Sequence, residues 1–219
     1  MKRFCSLNRT GCRLNPTDSA LFWNGLRRIW GADMETEEFL IVVDFESTCD
    51  TGGRMAVHEM ELIEIGAVKV RLDNGEILST FHSFVRPQNQ PTLSKFCKEL
   101  TGIRQREIDS AEPFVHVLKA FQSWLNHPFW TWASWGDFDL TLLERELERV
   151  EEDPIFAEHL NLKAIAKEAW DLKKTGMKEV LRKQGLTPIG THHRALDDAK
   201  SIAQLVPQLC SELRKSQTA

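Results

Sequence analysis

The 219-residue chain contains no tyrosine, which removes one common general base from any catalytic reading. It also lacks an apolar run of the roughly 18 residues a membrane helix needs, so no membrane span or membrane partner is expected. The five cysteines, Cys5, Cys12, Cys49, Cys97 and Cys210, are odd in number and scattered, with no CxxC pair and no zinc-ligand spacing. Free thiols of this kind suit a reducing, cytoplasmic compartment. A large excess of one charge is missing too, since the formal net charge is −4. That balance does not exclude a nucleic-acid partner. Phosphate affinity depends on local patches, and carboxylates gathered around cations can make an enzyme acidic overall.

The charge is unevenly spread. Residues 1–33 hold six basic and two acidic residues, a net +4, against −8 for the remainder. This opening has no apolar core of the kind a secretory signal carries. A loosely ordered extension over residues 1–36 is expected, with organellar transit as the alternative, then a folded domain over 37–215 and a short tail over 216–219. Met34 stands directly before the first strand.

From Phe39 to Glu46 the residues are apolar on both faces, as in a central strand covered on both sides. The loop from Ser47 to Arg54, with Gly52-Gly53, leads to Met60–Leu72 and then Glu76–Val85, joined by Asp73-Asn74-Gly75. That pattern predicts a hairpin. Short helices follow over Thr92–Leu100 and Phe114–Asn126. An aromatic strand is predicted over Phe129–Trp135, with Trp130 and Trp132 as core, and an amphipathic helix over Phe138–Val150. Leu160-Asn161-Leu162 reads as a short strand entering a helix to Trp170. A short helix over Gly176–Gln184 and one long helix from His193 to Leu213 complete the pattern. Strands first, then strands alternating with helices, predict an α/β domain: a mixed sheet flanked by helices.

Side chains alternate along a strand, so Asp44 and Glu46 share one face and Phe45 takes the other. Two acids at the end of an apolar strand are costly to bury without partners. Two further segments supply acids. In Ser134-Trp-Gly-Asp-Phe-Asp139 a helical wheel puts Asp139 about 40° from the Leu143/Leu147/Val150 stripe and Asp137 about 120° away. Asp139 therefore faces the sheet, and Asp137 reads as a helix cap. In Thr191-His-His-Arg-Ala-Leu-Asp-Asp198 both His192/Asp197 and His193/Asp198 fit the same spacing. Asp198 borders the Ala195/Ala199/Ile202/Val206 stripe and Asp197 opposes it, which selects Asp198 and, by spacing, His193.

Four inward carboxylates and one histidine suit Mg²⁺ or Mn²⁺ rather than structural zinc. Two such cations about 4 Å apart are the arrangement for cutting phosphodiesters, with a near-neutral histidine as the base for the attacking water.

Asp44-Phe-Glu46, Trp135-Gly-Asp-Phe-Asp139 and His193-Arg-Ala-Leu-Asp-Asp198 resemble the three motifs of the DEDDh 3′→5′ exonucleases, the group of RNase T and the bacterial polymerase III proofreading subunit. Ile41–Cys49, Glu61–Val68, His82–Pro87 and Glu99–Ile103 are similar to the branch of histone-mRNA and RNA-interference-regulating 3′ exoribonucleases. The resemblance spans roughly residues 37 to 212. It implies a ribonuclease-H-like fold with a mixed five-stranded sheet, and an exonuclease domain over 37–215. It implies that Asp44, Glu46 and Asp198 hold one divalent cation, and that Asp44 and Asp139 serve a second. His193 is implied as the base, with Ser47, Phe45 and His193 toward the terminal nucleotide. The implied substrate is single-stranded nucleic acid, RNA before DNA, cut to nucleoside 5′-monophosphates. A DNA- or short-oligonucleotide-directed relative, or a non-catalytic binding module, is the alternative. No SAP domain fits in the N-terminal extension, so a preference for stem-loop RNA is not implied. Two basic sets, Arg104/Arg106 and Lys173/Lys174/Lys178, are candidate phosphate contacts or ordinary solvated surface.

Overall fold

The computed structural model describes residues 39–51, 54–126, 131–156 and 158–218. The expected extension over 1–36, Gly52-Gly53 and Trp130 lie outside these residues.

Six strands form one sheet in the order β4-β3-β2-β1-β5-β6. They are β1 (Phe39–Ser47), β2 (Leu62–Arg71), β3 (Ile77–Arg86), β4 (Glu112–Pro113), β5 (Thr131–Ser134) and β6 (Glu158–Asn161). β1, β2 and β3 pair antiparallel, while β5 runs parallel to β1, β6 parallel to β5, and β4 parallel to β3. Five of these strands are the five expected. The sixth, β4, is a two-residue edge pairing at Glu112-Pro113, read from sequence only as a helix-start signal. Pro113 has no amide hydrogen to give, which suits it to a sheet edge.

Gly75 takes the left-handed conformation (φ 76°) at the β2–β3 turn, and the Arg71 amide donates to the Glu76 carbonyl at 2.9 Å, closing the expected hairpin.

Helices cover both faces: α1 (Lys95–Thr101), α2 (Gln105–Asp109), α3 (Phe114–Leu125), α4 (Phe138–Arg149), α5 (Leu162–Ala169), α6 (Met177–Lys183), α7 (Ala195–Ala203) and α8 (Val206–Thr218). Ile41, Val43 and Phe45, the odd-numbered side chains of β1, pack into the main core with Phe114, Phe121 and Leu142 from α3 and α4. The even-numbered ones turn to the other face, toward α7.

The predicted single helix from His193 to Leu213 is two helices. α7 begins only at Ala195, because His193 is left-handed (φ 62°) and Arg194 is extended at the N-cap. It ends at Ala203, four residues ahead of Pro207 in the first turn of α8. A proline ring clashes with the carbonyl four residues back, so an unbroken helix through Pro207 is disfavoured.

Candidate active site

The site forms where β1 runs on past β5 while still paired with β2. Its pairing with β5 stops after Val42 and Ala133, leaving an open edge. Asp139 Oδ1 fills that edge by accepting the Phe45 amide hydrogen at 2.9 Å. Asp139 stands in the first turn of α4, where the helix dipole favours an anion. The helical wheel is obeyed at this position: Asp139 is buried and Asp137 exposed. Asp137 occupies the N-cap position, yet its carboxylate caps no backbone amide and instead accepts from Asn161 Nδ2 at 2.9 Å.

α7 brings the remaining carboxylate. Asp198 is buried, and its Oδ2 accepts the His193 amide hydrogen at 2.8 Å. Asp197 turns away and accepts from the Thr191 amide instead. Oxygens of Asp44, Glu46 and Asp198 all lie within 4.8 Å of one another. The His193 ring is partly exposed, with Nδ1 3.8 Å from Glu46 Oε1. Spacing matched the side chains of His193 and Asp198, but the ring that meets Asp198 belongs to His192, Nδ1 to carboxylate 3.0 Å. His193 reaches Asp198 through its backbone. His193 is left-handed, and the two imidazoles lie against one another with centroids 4.0 Å apart.

Ser47 is buried at the end of β1, its hydroxyl 3.8 Å from Met60 Sδ. The Phe45 ring is only 4% exposed and lies against Trp132 on the core face, as strand alternation predicts, while its amide hydrogen goes to Asp139.

Residues not singled out from sequence hold this arrangement together. Glu64 on β2 pairs in register with Glu46, yet faces a different set of partners. It accepts from Arg194 Nη2 at 2.9 Å, from the Ala195 amide at 3.1 Å and meets His82 Nε2 at 2.7 Å. Gly66 pairs with Asp44, and a Cβ there would overlap the backbone of Ala195. Only a missing side chain lets α7 press onto the sheet, and so lets Asp198 reach Asp44. Ser134 is fully buried, donates to the Gly136 carbonyl and meets His159 Nε2 at 2.9 Å, bracing the turn into Asp139. One signal for Glu64 was legible: an acid in the middle of an otherwise apolar strand.

Crowding shapes the electrostatics. Burial, then Asp139, Glu46 and Asp198, raise the Asp44 carboxyl well above its usual range. Burial, then Glu64 and Asp198, push Glu46 up to about 9. Burial lifts Asp139 to about 6 against the opposing hydrogen bond from Phe45. Glu64 is the contrast: burial acts to raise it, but its bonds from His82 and Arg194 outweigh that and leave it lowered. Burial, with His192 and Lys178 nearby, lowers His193 below an ordinary histidine. A set of hard oxygen donors that repel one another when ionised is a fit for divalent cations, whose charge removes that repulsion.

The RNase T exonuclease family model matches residues 41–206. The chain belongs to that family. This exonuclease domain is 32% identical over 196 residues to ERI1 exoribonuclease 2 of Xenopus laevis, covering 78% of this chain and 28% of that protein. It is 30% identical over 196 residues to the 3′-5′ exonuclease Snipper of Drosophila melanogaster, covering 79% of this chain and 69% of the relative. Among solved structures, the nuclease domain of 3′hExo, a DEDDh family member bound to rAMP, superposes with a TM-score of 0.71. That match has 27% identity and covers 86% of this chain and 96% of that one. The ribonuclease-H-like fold of the DEDDh 3′–5′ exonucleases is therefore the fold of this domain, and divalent cations are the cofactor class that the family implies. The chain spans only 28% of the length of the Xenopus relative. No helix among the described residues is long and apolar enough to cross a membrane.

Proposed function

We propose that the chain hydrolyses single-stranded nucleic acid from the 3′ end, RNA in preference to DNA, releasing nucleoside 5′-monophosphates. The observation that carries this is the meeting of Asp44, Glu46 and Asp198 oxygens within 4.8 Å, next to Asp139 and the His193 ring. The preference for RNA is supported by relatives named as exoribonucleases and by the rAMP bound to 3′hExo. The exonuclease domain would run over residues 37–215. The free thiols of Cys49 and Cys97 suit a reducing cytoplasmic setting.

Asp44, Glu46 and Asp198 would hold one divalent cation, Mg²⁺ or Mn²⁺, and Asp44 with Asp139 would serve a second. Two such cations supply Lewis acidity and charge neutralisation at the scissile phosphate. The chain's own residues do the rest. His193, neutral at pH 7 because burial lowers its pKa, takes the proton of the attacking water. The water oxygen bonds to phosphorus, the bond from phosphorus to the penultimate 3′ oxygen breaks, and that oxygen leaves as a hydroxyl after taking a proton from solvent water. The Asp139 bond to the Phe45 amide locks the far carboxylate to the strand that carries Asp44 and Glu46. Ser47, one residue past Glu46, would meet the terminal nucleotide.

A 5′-labelled single-stranded RNA incubated with Mn²⁺ should shorten stepwise from its 3′ end, with no product in chelator or with Asp44→Ala. Matched RNA and DNA strands measure the preference. Intact substrate with folded, metal-supplied protein would overturn the proposal.

A further inference from the structure

An exonuclease site this acidic must still draw a polyanion toward it. Most arginines near the site are already engaged. Arg194 is held by Glu64, Arg104 is held by Glu107, and Arg149 is bonded to Glu146. Arg145 donates to the carbonyls of Val57 and His58. The Arg104/Arg106 set is thereby halved as a phosphate contact. The rim built from the β1–β2 connection offers Asp50, Arg54 and Glu59 among its described residues, with Arg54 donating to the Thr51 carbonyl. That rim has no cationic excess.

The opposite rim differs. Trp135, in the segment that delivers Asp139, donates from Nε1 to the Thr175 carbonyl at 2.9 Å. This bond ties the α5–α6 connection to the edge of the site. That connection and the start of α6 carry Lys173, Lys174 and Lys178, all exposed, against the single acid Asp171. Among the described residues none of the three lysines has a carboxylate within salt-bridge distance. The next acid along, Glu179, faces Lys183 at 3.8 Å. Lys163 joins them from the first turn of α5, its Cδ 3.9 Å from where a Gly136 Cβ would stand. Lys178 is near enough to His193 for its charge to act on that ring.

We propose that Lys173, Lys174 and Lys178, with Lys163, form the track along which the sugar–phosphate backbone of the entering single strand lies, upstream of the nucleotide being removed. The track presupposes the exonuclease reading and adds to it the direction of strand entry. The strand crosses the Trp135–Thr175 side and not the Asp50–Glu59 side. Lysine ammonium groups on an exposed loop bind phosphate as point charges without reading bases, which fits an enzyme that must pass any sequence.

The test compares the full wild-type chain with Lys173→Glu/Lys174→Glu and with Lys163→Glu, leaving Lys178 intact because its charge acts on the His193 ring. Two substrates are used with Mn²⁺: thymidine 5′-(p-nitrophenyl phosphate), a phosphodiester with no upstream backbone, and a short single-stranded RNA. Turnover of the small diester should be unchanged. KM for the RNA should rise roughly tenfold or more in the double variant. The slope of log kcat/KM against log salt should become shallower by about 0.7 for each phosphate the variant no longer neutralises. RNA kinetics and salt slopes equal to wild type would overturn the track. Binding of labelled RNA in Ca²⁺, read by anisotropy, tests the same surface without turnover. If neither substrate is cut by wild type, the exonuclease reading fails, while the track still stands or falls on that binding.

Discussion

Gly66 and Asp44 are register partners on β2 and β1, and the space above Gly66 is filled by the backbone of α7 at Ala195. The meeting of the β1 and α7 acids proposed as metal ligands thus depends on an absent side chain. Gly66→Ala should push α7 outward, costing about 1–3 kcal/mol or more as overpacking. It should also weaken Mn²⁺ binding, because Asp198 moves with the helix. Chemical denaturation and calorimetric titration of Mn²⁺ check the two effects; an unchanged Mn²⁺ affinity would count against the dependence.

Glu64 holds the same helix by charge. It is buried and receives both Arg194 and the Ala195 amide, so Glu64→Gln keeps the shape but removes the ionic acceptor. Stability should drop on the order of 2 kcal/mol, the scale of hydrogen bonds to a charged group. Turnover should fall with little change in KM, since no substrate contact is removed. Urea melts and steady-state kinetics on the RNA substrate separate these outcomes.

Asp139→Asn keeps an oxygen for the Phe45 amide but loses the charge. Folding stability should stay within about 1 kcal/mol of wild type, as expected when a buried hydrogen bond is preserved. Activity should fall by more than the roughly 10–100-fold typical of losing only a ligand's supporting partner. A variant retaining near-wild-type rates in Mg²⁺ would remove Asp139 from the catalytic set.

His193 must be neutral to accept a proton, and burial shifts its pKa below the ordinary value of about 6.5. Log kcat should therefore rise with pH through an acidic limb centred below that value and then level. His193→Gln should lose most of the activity, roughly 100-fold or more. What remains should lack the limb. A pH–rate profile at saturating Mn²⁺ for both proteins is the measurement.

The crowded carboxylates also make the cation-free fold sensitive to pH. Glu46 is raised to about 9 when folded, so the folded state binds a proton that the unfolded state releases near pH 4.5. That proton favours folding below the unfolded value. The advantage is lost as pH climbs toward the folded value. With chelator, Tm should be lower at about pH 8.5 than at about pH 6, by roughly 2–4 °C for each kcal/mol lost. Adding Mn²⁺ should restore the loss at the higher pH. Melts showing the reverse order in chelator would contradict the arrangement.

Much of this site could be read along the chain because its selection rules are local. Strand alternation put Asp44 and Glu46 on one face, and helical periodicity picked Asp139 over Asp137 and Asp198 over Asp197. Alternation likewise sent the Phe45 ring to the core face. The long final helix failed where the left-handed His193 and Pro207 break periodicity.

Other features belonged to tertiary structure alone. That the His192 ring rather than that of His193 meets Asp198, that Glu64 anchors α7, and that Gly66 admits it, all follow from how closely a helix 130 residues away settles on β2. Periodicity says which way a side chain points along its own element. It carries no information about the gap between two elements, because that gap is set by the side chains of both after they pack.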